Sequence, residues 1–257
     1  MFGDFLTLAF DQIVNFATKS VSMYGKRVDM NVLARCAVGG NRGYGPTHSQ
    51  CMQKHFLGIP HLDLYELNAF VDAEAFLPRL VNRGHPCMLF EDKSLYATST
   101  HRGGVVDELF RYELTGSQRD VARVFAQGSQ GKDCLIITSG GPFARCAQAT
   151  QRLLMEHEIE AQILVLTQLY PVSMEDVAPW IPSSRCLCVV EEGMGAGSWG
   201  WDLAARLQQR WWNTLESPIL VVQSKSSIIP AAQHLERTVL VQADDVYRTI
   251  LEGLGHA

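Results

Sequence analysis

The second half of the chain alternates regularly between short apolar runs and amphipathic stretches. The runs CLIIT, QILVLTQL, CLCVVEE and ILVVQSK have the length and composition of buried strands. Stretches with apolar residues at helical spacing follow them, at residues 142–156, 173–181, 201–212 and 243–254. Strands that alternate with helices predict a parallel α/β domain, which we place at residues 133–257.

The first half shows the same alternation less regularly. We predict strands at 31–35, 62–67 and 85–92, and helices at 5–24, 48–58 and 69–81, with Pro78 near the end or at a kink of the last helix. These elements predict an incomplete parallel α/β layer over residues 1–93, in which the first strands and helices of such a layer have no counterpart. Between residues 94 and 132 the turn signals THRGG, LTGSQRD and AQGSQGKD predict a linker.

Composition and charge narrow the possible partners. The chain has 257 residues, 47% of them hydrophobic, and a net charge of -5 without a basic cluster, so we expect no nucleic acid. No apolar run reaches the roughly 18 residues of a membrane span. Seven cysteines without CxxC spacing, and a start that lacks a basic flank, predict an unprocessed cytoplasmic protein.

The segment GAGSWG, residues 195–200, matches the GxGxxG pattern of dinucleotide sites. However, the strand after the following helix ends in Gln223, Ser224 and Lys225, so the acidic residue that would bind the ribose is absent. The pattern therefore favours a tight strand-to-helix turn over a nicotinamide site.

Two further pairs in this region have ordinary explanations. Glu191 and Glu192 end a predicted strand, but adjacent strand residues point to opposite faces, so at most one of them is functional. Cys186 and Cys188 share a face of the same strand, and two sulfurs there are typical of a core rather than a metal site.

His48 lies near the end of the glycine-rich segment GGNRGYGPTHSQ, residues 39–50. A surface loop with a solvated histidine is the ordinary interpretation. The glycines, however, allow close approach of the backbone to a ligand or another subunit. We also expect a helix to begin at THSQ, and its dipole would favour a neutral imidazole that is suited to proton transfer.

Several segments resemble one family of thiamine diphosphate enzymes. FGDFLTLAFDQIVNFATK, GGNRGYGPTHSQ, HFLGIP and HPCMLFEDKSLY resemble the beta subunit of the decarboxylating component of 2-oxo acid dehydrogenase complexes, of the pyruvate, branched-chain and acetoin types. DCLIITSGG, LTQLYPVSMEDV and CLCVVEEGMGAGSWGWDLAARL resemble its transketolase-type carboxyl-terminal domain. The resemblance covers nearly the whole chain and implies an incomplete transketolase-type pyrimidine-binding domain followed by that domain.

The resemblance also implies roles for individual residues. Phe5 matches the aromatic residue that stacks on the aminopyrimidine of thiamine diphosphate, although a core phenylalanine would look the same. His48 matches the active-site histidine, which binds the 2-oxo acid carboxylate and manages protons during acyl transfer. Some family members bind a structural potassium ion through backbone carbonyls; the matching residues are Val32, Leu80, Val81, Arg83 and His85, the last two replacing acidic and amide residues.

The chain departs from the family at its start. The family's activating glutamate lies in a segment before FGDF that has no match here, and no GDG motif marks a magnesium and diphosphate site. Half of a pyrimidine-binding layer would also expose apolar strand faces and a sheet edge. We therefore expect an alpha-type partner chain that carries magnesium and the diphosphate site and supplies the missing glutamate segment.

Together these features predict a beta-type subunit, active only within a heterotetrameric complex and dimerising through its carboxyl-terminal domain. It would cleave the bond beside a 2-oxo carbonyl and pass the acyl or two-carbon unit to a thiol of a lipoyl acyltransferase or an acyl carrier protein. The alternative is a non-catalytic assembly subunit with a degenerate pyrimidine domain.

Overall fold

A four-stranded and a six-stranded sheet form the framework of residues 2–182 and 184–256, the part of the chain that the computed structural model describes. Met1 and Ala257, the outer ends of the two predicted domains, lie outside it. The strands are β1 (Leu33–Val38), β2 (Asp63–Glu66), β3 (Cys87–Asp92), β4 (Phe110–Thr115), β5 (Val121–Ala126), β6 (Cys134–Thr138), β7 (Ala161–Leu166), β8 (Gln168–Tyr170), β9 (Cys186–Met194) and β10 (Leu220–Ser224).

The α-helices pack on these sheets or connect their strands. They are α1 (Thr18–Ser20), α2 (Ala73–Val81), α3 (Phe143–His157), α4 (Met174–Val177), α5 (Trp199–Trp211), α6 (Gln233–Val239) and α7 (Ala243–Gly253). None of the helices in the described part of the chain combines the length and apolarity that crossing a membrane requires.

The smaller sheet has the strand order β1-β3-β2-β8. Strands β1, β3 and β2 are parallel, as their sequences predict, and β3 is buried along its whole length. β8 is antiparallel to β2 and reaches this sheet from the second half of the chain. The architecture is therefore α/β with mixed sheets.

The larger sheet has the order β10-β9-β6-β7-β5-β4. The first four strands are parallel, as predicted, whereas β5 is antiparallel to β7 and β4 is antiparallel to β5. β4 and β5 lie inside residues 94–132, so the prediction of a linker is wrong for this stretch. The prediction failed because β4 is only partly buried. Charged and polar residues therefore interrupt the apolar run that would have indicated a strand.

Thr167 joins the two sheets. The predicted strand 162–169 is broken there, since β7 belongs to the larger sheet and β8 to the smaller. The Thr167 carbonyl accepts a hydrogen bond from Glu66 N (2.8 Å). Its buried hydroxyl accepts from Asn68 Nδ2 (2.8 Å) and donates to the carbonyl of Asp120 (2.5 Å). One core cluster correspondingly contains side chains from both sheets, including Phe90 and Leu166.

Predicted helices in the second half match α3, α5 and α7 closely, and α4 with a following 3-10 turn occupies 174–180. The first half differs more. The segment 5–24 is helical but irregular, with a 3-10 stretch at Gly3–Ala9 and a π stretch at Gln12–Ala17. Helix α2 begins later than predicted, because Asp72 caps it by accepting from Glu74 N (3.0 Å). Helix α6 was not predicted.

Replacing Thr167 with valine should destabilise the protein by about 1–3 kcal/mol, because a buried amide and a buried carbonyl lose their partner without a change in shape. Chemical unfolding would measure this. Thr98→Val is the matched control, since the Thr98 hydroxyl donates to Ser94 O at an exposed position. Equal stability of the two variants would contradict the role of Thr167.

Candidate functional site

The glycine-rich segment 39–50 crosses the edge of the smaller sheet where β1 and β3 end. Gly39, Gly43 and Gly45 have φ angles of 84°, 72° and 78°, a left-handed region in which other residues are strained. A Cβ on Gly39 would also meet the Asp92 carboxylate. The glycines therefore fix a backbone path that residues with side chains could not follow.

His48 lies in a turn, not at the start of a helix. Residues 46–48 form this turn, the His48 N–H donates to Gly45 O (3.4 Å), and helical hydrogen bonding begins only in the 3-10 turn Gln53–Phe56. The predicted helix 48–58, and with it the expected dipole behind the imidazole, is thus wrong. The left-handed Gly45 and the fixed φ of Pro46 favour a turn here.

Two aromatic rings enclose the half-buried His48. The ring of Phe2 lies edge-on with a centroid distance of 4.6 Å, and that of Phe5 lies at 5.5 Å. Nδ1 is 3.0 Å from the Thr47 hydroxyl. The structure thus brings the two predicted residues Phe5 and His48 together, and it leaves about a third of Phe5 exposed.

Asp4 holds the amino-terminal segment against the glycine-rich segment. Its Oδ1 accepts from the backbone N–H of Gln50 (3.2 Å) and from the Gln50 side chain (2.8 Å). Gly3 packs so closely on β1 that a Cβ would lie 2.6 Å from Val38 Cγ1. The rings of Phe2 and Phe5 are therefore fixed relative to His48.

Lys93 places a buried positive charge directly behind His48. This residue was not identified from the sequence. It is 5% exposed, and its Nζ donates to the carbonyl of His48 (2.9 Å). The same ammonium lies 5.2 Å from the Phe2 ring centroid and 5.8 Å from that of Tyr44. Burial lowers the pKa of Lys93, while neighbouring acidic groups oppose this shift. Lys93 directly follows the buried strand β3, and residues at the carboxyl ends of parallel strands often face a binding cleft. This position could have identified Lys93 from the sequence.

Two buried carboxylates from the carboxyl-terminal half hold the glycine-rich segment by its backbone. Glu192 accepts from Gly40 N (2.6 Å) and from Asn41 Nδ2 (3.1 Å), and Glu236 accepts from Gly43 N (2.8 Å). Arg145 balances the charge of Glu192 through an ion pair of 2.5 Å. No role was predicted from the sequence for Glu236, which lies in the unpredicted helix α6.

Glu191 has a separate task, as the alternation of strand residues predicts. It accepts hydrogen bonds from the Ser198 hydroxyl and from Gly200 N (3.0 Å), and so caps the amino end of α5. Burial raises the pKa of Glu191. A protein carboxylate thus occupies the helix end where a dinucleotide phosphate would bind, which supports the interpretation of residues 195–200 as a turn.

Two further carboxyl groups are buried between the sheets. Glu66 accepts from Gly141 N (2.8 Å) and from Gln53 Nε2 (2.9 Å), yet burial raises its pKa to about 7. Burial, and next the neighbouring Glu192, raise the pKa of Asp92 to about 6. Both groups therefore change charge near neutral pH.

A cleft of about 610 Å³ opens beside Thr47, the residue before His48, between the glycine-rich segment and the loop 226–229. Thr47 and Gln50 line one wall, and Lys54 crosses it to donate to Met194 O (2.9 Å). An adjoining cavity of about 260 Å³ reaches Glu192. A molecule of moderate size therefore has access to the surroundings of His48.

The residues predicted to hold potassium lie at the opposite edge of the smaller sheet. Val32 precedes β1, Leu80 and Val81 end α2, and Arg83 and His85 lie in the loop before β3. The carbonyl of Val32 already accepts from the N–H of Cys87 (2.8 Å), and the loop carries a guanidinium. The potassium site therefore stays a prediction at these residues.

The sequence of this chain is similar to known proteins over nearly its whole length. Residues 125–246 match the family described as transketolase, C-terminal domain. The acetoin:2,6-dichlorophenolindophenol oxidoreductase subunit beta of Bacillus subtilis (strain 168) is 25% identical over 255 residues, 99% of this chain and 71% of that protein. The pyruvate dehydrogenase E1 component subunit beta of Rhizobium meliloti (strain 1021) is 26% identical over 95% of this chain, which spans 50% of that protein.

Solved structures show the same fold. A split-gene transketolase, described as an inactive beta4 tetramer, superposes with a TM-score of 0.70 at 19% identity, over 99% of this chain and 75% of that one. Both sheets of the present chain therefore belong to a transketolase-like fold.

The raised pKa of Glu66 predicts a pH-dependent stability. Between pH 4.5, the usual pKa of a glutamate, and about pH 7, the Glu66 carboxyl is more protonated in the folded chain than in the unfolded chain. The free energy of unfolding should therefore fall as pH rises through this window, with a contribution from Glu66 of up to about 3 kcal/mol. Glu66→Gln should remove that contribution, as measured by urea unfolding at pH 5 and pH 8.

Glu74→Gln is the matched control, because Glu74 is exposed on α2 and should keep the wild-type difference between the two pH values. A Glu66→Gln variant with the full wild-type difference would contradict the assignment.

Proposed function

We propose that this protein is the beta-type subunit of a thiamine diphosphate-dependent enzyme that cleaves the bond beside a 2-oxo carbonyl. Residues 125–246 match the transketolase C-terminal domain, and nearly the whole chain is similar to beta subunits of an acetoin:2,6-dichlorophenolindophenol oxidoreductase and of a pyruvate dehydrogenase E1 component. The observation that carries the proposal is the contact of His48 with Phe5 at the edge of the smaller sheet. Relatives at about 25% identity support the reaction class but leave the substrate open.

Phe5 and His48 have separate roles in this proposal. The partly exposed ring of Phe5 offers an apolar face for the aminopyrimidine ring of the cofactor. His48, beside the cleft and held by Thr47 and Lys93, donates and accepts protons at the substrate. Lys93 acts through the backbone of His48 and is a positioning residue.

The residues present fit only part of thiamine diphosphate. When bound, the cofactor supplies the electron sink for cleavage beside the carbonyl. The rings of Phe5 and His48 suit its flat aromatic part, whereas the matched segments include neither the family's activating glutamate nor its GDG motif. In this proposal a partner chain of the alpha type supplies both functions, with magnesium at the diphosphate.

The cleft of about 610 Å³ is the proposed route for substrate and acceptor. Its lysine, Lys54, can attract a carboxylate, and its exposed Ile228 gives an apolar rim. A lipoyl group or the thiol arm of an acyl carrier protein would reach His48 by this route.

The amino-terminal helical segment supports a partner chain. Leu8 is 82% exposed, and Phe16 and Tyr24 are more than half exposed. Several large, exposed apolar side chains within one short segment are typical of an interaction site. We assign this face to the alpha-type partner, and the carboxyl-terminal domain to self-dimerisation.

Replacing His48 with alanine in the assembled complex should lower turnover by about a hundredfold or more, because proton transfer loses its group. The assay is 2-oxo acid or ketose cleavage, with binding of thiamine diphosphate measured separately to show that the site is intact. His61→Asn is the control, since His61 is exposed and its left-handed backbone suits asparagine.

Wild-type turnover of the His48 variant would refute its assignment and favour the non-catalytic assembly role. Unchanged cofactor binding with lost turnover would support the assignment.

Expression of the chain alone tests the partner. We expect aggregates larger than a dimer, which co-expression with the alpha-type chain relieves, as sedimentation would measure. A stable and well-folded monomer would contradict the requirement for a partner.

A further inference from the structure

Three different metal-ligand side chains meet at the amino-terminal edge of the smaller sheet, away from His48. Asp63 and Cys87 begin β2 and β3 and are paired across these parallel strands. His85 precedes Cys87 by two residues, a spacing that returns to the same face of an extended chain. One donor atom from each residue, a carboxylate oxygen, an imidazole nitrogen and a thiol sulfur, lies within 4.8 Å of the other two.

This cluster is largely shielded from water but has an entrance. Asp63 is 7% and Cys87 1% exposed, whereas the His85 side chain is 19% exposed. A ligand can therefore enter past the imidazole, while the sheet holds the other two donors in place. Such preorganisation distinguishes the cluster from a group of mobile surface side chains.

The Asp63 carboxylate already contacts a guanidinium, an imidazole and a hydroxyl. Arg83 Nη2 lies 2.5 Å and His85 Nε2 3.1 Å from its Oδ2, and the Tyr65 hydroxyl donates to the same oxygen (3.2 Å). A buried carboxylate requires a compensating charge. The Arg83 side chain, 39% exposed, supplies that charge from outside and can swing into water without breaking the core.

We propose that Asp63, His85 and Cys87 bind one divalent cation of the Zn²⁺ type, with Arg83 as the counter-charge of the metal-free protein. Oxygen, nitrogen and sulfur donors together suit Zn²⁺, and three protein ligands leave a fourth position for water. Potassium prefers oxygen ligands alone, so these three side chains favour a different ion from the one predicted for the nearby backbone carbonyls.

Binding requires small and balanced changes. Zinc bonds of roughly 2.0 to 2.3 Å bring tetrahedral donor atoms to roughly 3.3 to 3.8 Å from one another. His85 Nε2 and Asp63 Oδ2 are already 3.1 Å apart, so only the more distant donors must close, by up to about 1 Å. The S–H bond of Cys87 breaks, a Zn–S bond forms, and the proton passes to solvent. Arg83 leaves Asp63 as the metal charge replaces its own.

The test is a metal titration of the reduced full chain in the assembly in which it purifies. Co²⁺ serves as the spectroscopic probe, and Zn²⁺ affinity is measured against a chromophoric chelator. We expect one equivalent of metal, a thiolate-to-cobalt absorption band, and release of one proton. Absence of stoichiometric binding would overturn the proposal.

Variants assign the ligands. Cys87→Ser should abolish the thiolate band, and His85→Gln, at a less buried position, should weaken Zn²⁺ binding by at least about tenfold. Arg83→Gln should strengthen binding by about tenfold, because the competing cation is gone. Cys36→Ser is the control, a second buried thiol of the same sheet whose partner is the carbonyl of Leu89.

A thiolate band that persists in Cys87→Ser, or Zn²⁺ affinity unchanged in His85→Gln, would overturn the ligand set. Unchanged affinity in Arg83→Gln would overturn the role of Arg83 as counter-charge. None of these measurements depends on catalysis.

Discussion

The contact of Glu192 and Glu236 with the glycine-rich segment is the constraint on which the candidate site depends. Both carboxylates accept from backbone N–H groups, at Gly40 and Gly43, and a Cβ at Gly40 would meet Leu240 and Glu236. Close approach of the two halves thus requires glycine, and the buried carboxylates stabilise it through charge-assisted hydrogen bonds. The position of His48 is therefore set by residues about 150 to 190 positions away in sequence.

Sequence reasoning succeeded where burial is complete. β3, β6 and β9 are buried over most or all of their length, so their apolar runs were long enough to identify. β4 was missed because it is only partly buried, and β5 beside it carries Arg123 within an apolar run. The helix expected after Pro46 does not form, because the left-handed glycines and contacts with distant residues determine the backbone there.

The candidate site was predictable only in part. Its glycines and His48 stand together in one segment, and the resemblance to a family added Phe5. Lys93, Arg145 and Glu236 come from three other elements, and their contacts depend on how the two sheets pack. A local sequence pattern contains no information on such long-range pairs, although their chemistry is evident once the sheets are in place.

The passage of the chain from β7 to β8 has a mechanical consequence. A single residue, Thr167, separates two strands that are hydrogen-bonded into different sheets, and both its carbonyl and its hydroxyl are engaged. Because the connection is so short, one sheet can rotate relative to the other only if hydrogen bonds between β8 and β2, or between β7 and its neighbours, break. A rotation of the larger sheet would therefore act on the smaller sheet through the pairing of β8 with β2.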